Sequence, residues 1–255
     1  FELGLTIDGS DASLAAAVQS YSNNVLLQYL EDRLPPGFSP PGIRLSLQVL
    51  YNPDLRSAHF FVPGLVAVIL LMISALLTSI TIAREKETGT MEQLLTTPVK
   101  PHEILLGKLL PYTLMAFVDG VLVLVFARTV FGVPFVGSYV LLTACGLVYV
   151  TTSLCIGIVI SSLVKTQQVA MMFALVSTML PSIMLSGFIF AVKNMPPVLQ
   201  GVSRIVPATY FIKIIRGIML KGAGLELLVV PTGWLVLISL ILIVIAARKF
   251  ETRIG

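Results

Sequence analysis

Arg84-Glu85-Lys86-Glu87-Thr88-Gly89-Thr90-Met91-Glu92-Gln93-Leu94-Leu95-Thr96-Thr97-Pro98 is the stretch whose reading decides the fold. It sets a charged island between two long apolar runs, His59 to Ala83 before it and 108–131 after it. Acidic residues crowd its first turns, where the helix dipole favours them. Met91, Leu94 and Leu95 make a short apolar patch, and Thr97-Pro98 ends the helix because a residue before proline avoids the α region. The pattern predicts a helix over about 84–97. Pro101 then restarts a helix at His102-Glu103 that leads into the next apolar run. Two roles fit such an island. It is either a surface on which a soluble partner docks or a solvated connector that keeps the ends of two spans in water.

The composition says what surrounds it. Of 255 residues, 56% are hydrophobic and 12% charged, where a soluble domain has roughly 25% charged residues. With a mean hydropathy of +0.95, the expected class is an α-helical polytopic membrane protein. The net charge of +4 is modest and the basic residues are scattered or lie beside apolar runs. That argues against nucleic acid and for contact with anionic membrane lipid.

Outward from the island the chain reads as five spans, about 59–83, 108–131, 138–163, 169–191 and 225–247, each near the roughly 20 residues a bilayer needs. Together 58–255 form the transmembrane domain. An odd number of spans puts residues 1–57 and the C-terminal tail on opposite sides. Lys and Arg fall equally on the two sides, so the raw count leaves the orientation open. The clearest basic clusters flank the island and the tail, which favours the island inside.

Residues 1–57 look different. Phe1, Leu3, Leu5 and Ile7 alternate with polar or small residues, as in a strand. Leu14, Val18, Tyr21, Val25 and Tyr29 recur at helical spacing over 11–34. Two Pro-Pro-Gly steps make a stiff loop, and Ile43 to Tyr51 alternate again. This β-α-β run is too small to hold a complete core. It is expected to be the C-terminal part of a larger α/β domain, and the chain opens at Phe1 within a strand, so the protein is expected to start upstream.

Between the fourth and fifth spans, Asn194-Met195-Pro196-Pro197 interrupts any helix. A helix is expected over about 207–221, with Tyr210, Phe211, Ile214, Ile215 and Ile218 on one face and Lys213, Arg216 and Lys221 on another. Such a helix either lies in the membrane interface or packs on the bundle.

Few residues inside the spans carry chemistry. Asp119 lies 11 residues past Lys108, about 16 Å along a helix and so near the middle of a core about 30 Å thick. An intramembrane acid faces protein or a wet cavity, so Asp119 belongs either to a substrate or ion path or to a buried hydrogen bond. Arg128 is on the other side of the helix and cannot pair with it. Ser153, Gly157 and Ser161 form a small-residue stripe for close helix packing. Pro111, Pro181 and Gly187 are positions for kinks or breaks. Cys145 and Cys155, about 15 Å apart on one helix, are too far apart for a disulfide and read as packing residues.

The sequence has no G-x-x-x-x-G-K-[ST] phosphate loop, no H-E-x-x-H and no G-x-S-x-G. His59 and His102 are single and far apart, so no metal set or catalytic group is expected. This chain is expected to bind no cofactor and to catalyse nothing itself.

Asn52-Pro53-Asp54-Leu55-Arg56-Ser57, Val62-Pro63-Gly64, the island from Arg84 to Leu94, and Gly107-Lys108-Leu109-Leu110-Pro111-Tyr112 together resemble the type-2 ABC exporter permeases. The likeness is greatest to the bacterial multidrug-efflux branch, which has a large extracytoplasmic domain between its first and second spans. Pro207-Ala208-Thr209-Tyr210-Phe211 and Arg216-Gly217-Ile218 resemble the outer amphipathic helix of that family. The likeness covers about 50–255. It implies six spans in the whole protein, the island inside, and residues 1–57 outside a bacterial inner membrane. It also implies that the island is a coupling helix docked on a separate ATPase, a role that falls to Arg84, Glu85, Glu87, Gly89, Thr90 and Glu92. Two ATPases, holding ATP and Mg, and a second permease, identical or paralogous, are the implied partners. The implied activity is export of amphiphilic drugs or lipid-like molecules. Asp119 has no counterpart in the resemblance. Two rivals stand beside this reading: an ion-coupled secondary transporter using Asp119, and a non-transporting membrane assembly factor.

Overall fold

A computed structural model describes residues 2–10, 12–33, 44–90 and 101–251. The chain divides into two compact units, Phe1–Val62 and Pro63–Gly255.

In the first unit, β1 (Glu2–Asp8) pairs in parallel with β2 (Arg44–Leu50), Glu2 opposite Arg44 and Asp8 opposite Leu50. Helix α1 (Ala12–Arg33) is the connection, as parallel strands require a crossover. Gly9 donates its N–H to the Leu50 carbonyl at 2.9 Å. A Cβ on Gly9 would stand 2.5 Å from Val49 Cγ1 and 2.8 Å from the Leu50 oxygen, so the strand end admits no side chain there. The predicted β-α-β order is present. In α1 the apolar stripe of Leu14, Val18, Tyr21, Val25 and Tyr29 is exposed, while Ala12 and Ala15 are buried.

The chain leaves β2 through a turn built on Asn52, which is fully buried. The Asn52 side chain donates to the Arg56 carbonyl at 3.1 Å and accepts the Arg56 N–H at 3.0 Å. This clasp spans a segment with two positive-φ residues, Tyr51 at 68° and Leu55 at 49°. It leads directly into α2 (Ser57–Glu87).

The second unit holds α3 (Pro101–Thr129), α4 (Tyr139–Leu163), α5 (Gln167–Met184), a 3-10 turn (Val192–Asn194), α6 (Pro197–Ser203), α7 (Pro207–Lys221) and α8 (Leu225–Glu251). Five helices among the described residues are long and apolar enough to cross a membrane. Helix α4 is the hub. It packs most extensively on α8 and also meets α3, α7 and α5. Its Cys155 and Ile158 join Ile82 of α2 and Ala246 of α8 in one cluster, while Val150 and Leu154 meet Ala116 of α3. Tyr149 is fully buried, stacks on Phe211 at 4.1 Å, and donates its hydroxyl to the Ala67 carbonyl of α2 at 2.8 Å.

Two boundaries differ most from those expected. Helix α2 continues through Arg84–Glu87, so the first residues assigned to a separate helix over 84–97 complete the span instead. Strong helix formers without a breaker let the span run on until Gly89, at φ 72°, turns it. Residues 91–97 of that predicted helix lie outside the described residues. Helix α5 ends at Met184, seven residues short of the expected 191. Leu185 donates its N–H back to the Pro181 carbonyl at 2.8 Å, and Gly187 follows at φ 84°. Pro111 and Pro181 sit inside continuous helices.

Helix α7 has the expected bounds. Pro207 occupies its first turn, where a missing N–H costs nothing. Gly222, at φ 62°, ends it in a left-handed cap with its own N–H on the Ile218 carbonyl at 3.2 Å. Only a narrow edge of it, at Lys213 and Lys221, is exposed. Most of its residues are buried, including Tyr210, Phe211, Ile214, Ile215 and Ile218, and it is bent by 80° from α6. It packs on the bundle, as one of the two readings open from the sequence expects.

Candidate partner-docking site

The C-terminal end of α2 gathers the starts and ends of its neighbours on one face. Glu85 pairs with Lys108, early in α3, with both side chains largely withdrawn from solvent. Lys86 donates to the backbone carbonyl of Ser161 near the end of α4. Glu87 accepts the backbone N–H of Gln167 at 2.9 Å and its side-chain amide at 3.3 Å, at the first residue of α5. Three consecutive side chains thus reach three different helices. They do so because successive helix residues point about 100° apart and each helix terminus offers the complementary charge. A carboxylate suits the N-terminal end of α5 and an ammonium the carbonyls at the end of α4.

Beyond Glu87 the chain is held locally. Thr88 returns its N–H and hydroxyl to the Arg84 carbonyl, both at 2.9 Å. Thr90 meets Thr88 at 3.1 Å and the Glu85 carbonyl at 3.3 Å. Arg84, Glu87, Thr88, Gly89 and Thr90 are exposed. Of the predicted docking residues, Arg84, Glu85, Glu87, Gly89 and Thr90 therefore share one corner, but Glu85 is spent on Lys108 inside the chain. Glu92 lies outside the described residues.

The small-residue stripe of α4 lies one layer inward. Ser153, Gly157 and Ser161 are all buried. A Cβ on Gly157 would be 2.5 Å from the Ala75 carbonyl oxygen and 2.9 Å from Thr78 Cβ, so α4 and α2 touch backbone to backbone there. Ser153 and Ser161 return their hydroxyls to α4's own carbonyls at 2.8 and 2.6 Å.

Asp119 sits apart from this corner. It is partly exposed, and its Oδ2 atom is buried without a hydrogen-bond partner among the described residues. It is not among the residues lining the adjacent apolar cleft, which opens between Leu70 of α2, Gly120 and Leu124 of α3, Gly146 of α4 and Phe211 of α7. Arg128 donates to the Tyr139 hydroxyl at 2.7 Å. No cluster of three or more potential metal ligands occurs among the described residues.

Sequence reasoning did not single out Lys108 and Gln167 as members of the corner. Lys108 enters the sequence reading only as the mark from which the depth of Asp119 is counted and as one residue of the Gly107–Tyr112 run. Gln167 has no pattern signal, because its part is played by a backbone N–H. Arg216 shares the basic face expected with Lys213 and Lys221, yet it turns inward and donates to the Gly187 and Phe188 carbonyls at 3.0 and 3.2 Å.

Five apolar helices with α4 at their centre, an ionic corner at one end and a bent α6–α7 pair between the last two spans define a multi-pass helical membrane protein. A family model described as ABC-2 family transporter protein matches residues 2–248, and the chain belongs to that family. Among its relatives is the "Probable multidrug ABC transporter permease YbhS" of Escherichia coli (strain K12), 36% identical over 97% of this chain and 66% of that protein. "Probable multidrug ABC transporter permease YbhR" of the same strain is 34% identical over 88% of this chain and 61% of that protein. "ABC transporter G family member 20" of Dictyostelium discoideum is 29% identical over 76% of this chain and 26% of that protein. The chain therefore spans just under two thirds of the length of the bacterial relatives it matches. No solved structure matches it.

Proposed function

We propose that this chain is the permease part of an ATP-driven exporter in a bacterial inner membrane, moving amphiphilic drugs or lipid-like molecules. Family membership and the bacterial relatives named as multidrug permeases support the reading. In it, the Arg84–Thr90 corner faces the cytoplasm and residues 1–57 face outward. A separate ATPase, holding ATP and Mg, docks on the corner. Two ATPases and a second permease, identical or paralogous, complete the assembly.

The observation that carries the mechanism is the tie of Glu85 to Lys108, of Lys86 to Ser161 and of Glu87 to Gln167. A push on the end of α2 is transmitted by these bonds to α3, α4 and α5 together. Closure of the partner ATPase on ATP would thereby tilt four helices as one body. The test is co-expression of the full-length permease with its candidate ATPase. The reading expects a stable complex whose ATP hydrolysis rises with substrate and whose transport stops with vanadate. Vanadate-insensitive transport driven by a pH gradient would overturn it.

That last outcome belongs to a second reading, ion-coupled transport through Asp119, which the unpartnered Oδ2 favours. It expects Asp119→Asn to abolish the pH-gradient dependence, whereas the exporter reading expects ATP-dependent transport to persist in that variant.

A further inference from the structure

The face opposite the ionic corner holds a set of charges with no counter-charge among the described residues. Helix α5 starts at Gln167, bonded to Glu87, and its 18 residues carry the chain about 27 Å to the other face. There the 3-10 turn, α6 and the start of α7 present Lys193, Arg204 and Lys213, all exposed. The elements that carry them are joined, since Gln200 of α6 donates its side-chain amide to the Lys193 carbonyl of the 3-10 turn at 3.4 Å. Lys213 Nζ stands 5.8 Å from the centre of the Tyr210 ring. Tyr210 in turn donates its hydroxyl to the Arg204 carbonyl at 2.8 Å and stacks with Trp234 of α8 at 6.2 Å.

No carboxylate among the described residues pairs with any of the three cations. The sequence explains why, since it has no Asp or Glu between Asp119 and Glu226. Three like charges gathered without an anion repel one another, unless an anion comes from outside the chain.

The neighbouring surface indicates where that anion resides. Val198, Val202 and Ile205 are exposed, at 77%, 44% and 74%, on and just beyond α6. Trp234, also exposed, adds an aromatic edge. Exposed apolar side chains flanked by basic residues and an aromatic pair are the signature of a segment seated at the headgroup boundary of a bilayer. A soluble anion would leave the apolar part uncovered; a lipid satisfies both parts.

We propose that the α6–α7 elbow binds an anionic phospholipid, with its headgroup phosphate between Lys193, Arg204 and Lys213 and its acyl chains along Val198, Val202 and Ile205. The site requires only that the chain sits in a bilayer, so it stands apart from the transport reading.

Trp234 is the only tryptophan of this chain and is part of the site, which makes it the reporter. The full-length permease is reconstituted into phosphatidylcholine vesicles containing a minor fraction of either brominated phosphatidylglycerol or brominated phosphatidylcholine. Stronger quenching of Trp234 by the brominated phosphatidylglycerol is expected. Each lysine is expected to account for roughly a fivefold preference, so K193Q/K213Q loses most of it while K193R/K213R keeps it. Any tryptophan outside this chain is subtracted with a Trp234→Phe control. Equal quenching by the two lipids would overturn the proposal. So would a preference unchanged in K193Q/K213Q, or one abolished by added inorganic phosphate, which would mark the site as one for a free anion. Both lysines are exposed, so the variants are expected to fold, and retention of the preference in K193R/K213R excludes loss of fold as the cause.

Discussion

Glu87, at the last residue of α2, accepts the backbone N–H of Gln167, at the first residue of α5, across 80 positions of sequence. Its carboxylate also stands on the positive end of the α5 dipole. Glu87→Gln keeps an acceptor oxygen and is expected to cost under about 1 kcal/mol, given the exposure of the site. Glu87→Lys places an ammonium against unpaired N–H groups and is expected to detach the start of α5. Thermal unfolding of the purified protein and substrate-stimulated hydrolysis by the complex check this together. Unfolding should shift little in either variant, while hydrolysis should survive in the Gln variant and fall in the Lys variant. Wild-type hydrolysis with Glu87→Lys would sink the claim that this contact transmits the stroke.

Glu85 and Lys108 form the other charged tie, and here both partners are withdrawn from water, with side-chain exposures of 23% and 18%. Removing one partner leaves the other charge without compensation, so Glu85→Ala and Lys108→Ala are each expected to cost about 1–3 kcal/mol. The double substitution should cost less than the two singles combined. A double-mutant cycle read by denaturant unfolding in mild detergent measures the coupling. Additive effects, within about 0.5 kcal/mol, would show that the contact contributes nothing beyond proximity.

The fold was legible wherever the signal was local. Unbroken apolar runs mark α2, α3, α4 and α8, because a bilayer admits little else of that length. Pro207 and Gly222 mark both ends of α7, since each fixes a backbone conformation in its own residue. The end of α5 was not legible, because Pro181 tolerates the helix around it and the stop is set by Gly187 and by Arg216, 29 residues away. The corner was half legible. Its charges stood out, but the partners are a backbone N–H at Gln167 and a backbone carbonyl at Ser161, which every residue possesses. The α1 periodicity gave the helix, but periodicity reports a face that wants cover without saying what covers it.

Gly157 and Gly146 lie on the same helix in opposite circumstances. A Cβ on Gly157 meets the Ala75 carbonyl oxygen at 2.5 Å, and backbone cannot step aside as a flexible side chain can. Gly157→Ala is therefore expected to push α4 from α2 at a cost of about 1–3 kcal/mol. Nothing lies within 4 Å of a Cβ on Gly146, so Gly146→Ala should be neutral or stabilising by up to about 1 kcal/mol through helix propensity. Thermal unfolding of the two variants side by side is the check. Equal behaviour would mean that α2 and α4 do not approach as closely as the structure places them.

Arg216 is a basic residue of α7 that turns partly inward. Its guanidinium bridges the Gly187 and Phe188 carbonyls, just past the end of α5, and a Cβ on Gly64 of α2 would stand 3.1 Å from its Nη2 and 2.5 Å from the Phe188 ring. One side chain thus fixes the turn that closes the bundle opposite the ionic corner. The fork matters, because two donors at a set angle hold two successive carbonyls and a lysine ammonium cannot match that geometry. Arg216→Ala is expected to raise amide exchange across 185–190 by roughly tenfold, the loss of charge-assisted bonds tempered by partial exposure. Arg216→Lys should fall between Ala and wild type. Exchange in α4 should not change, since Tyr149 and Phe211 hold α7 to the hub through a separate contact. Mass-resolved hydrogen exchange on the reconstituted protein reads both segments at once. Faster exchange throughout α4 and α7 would assign Arg216 to general stability, and unchanged exchange at 185–190 would remove it as the clamp of that turn.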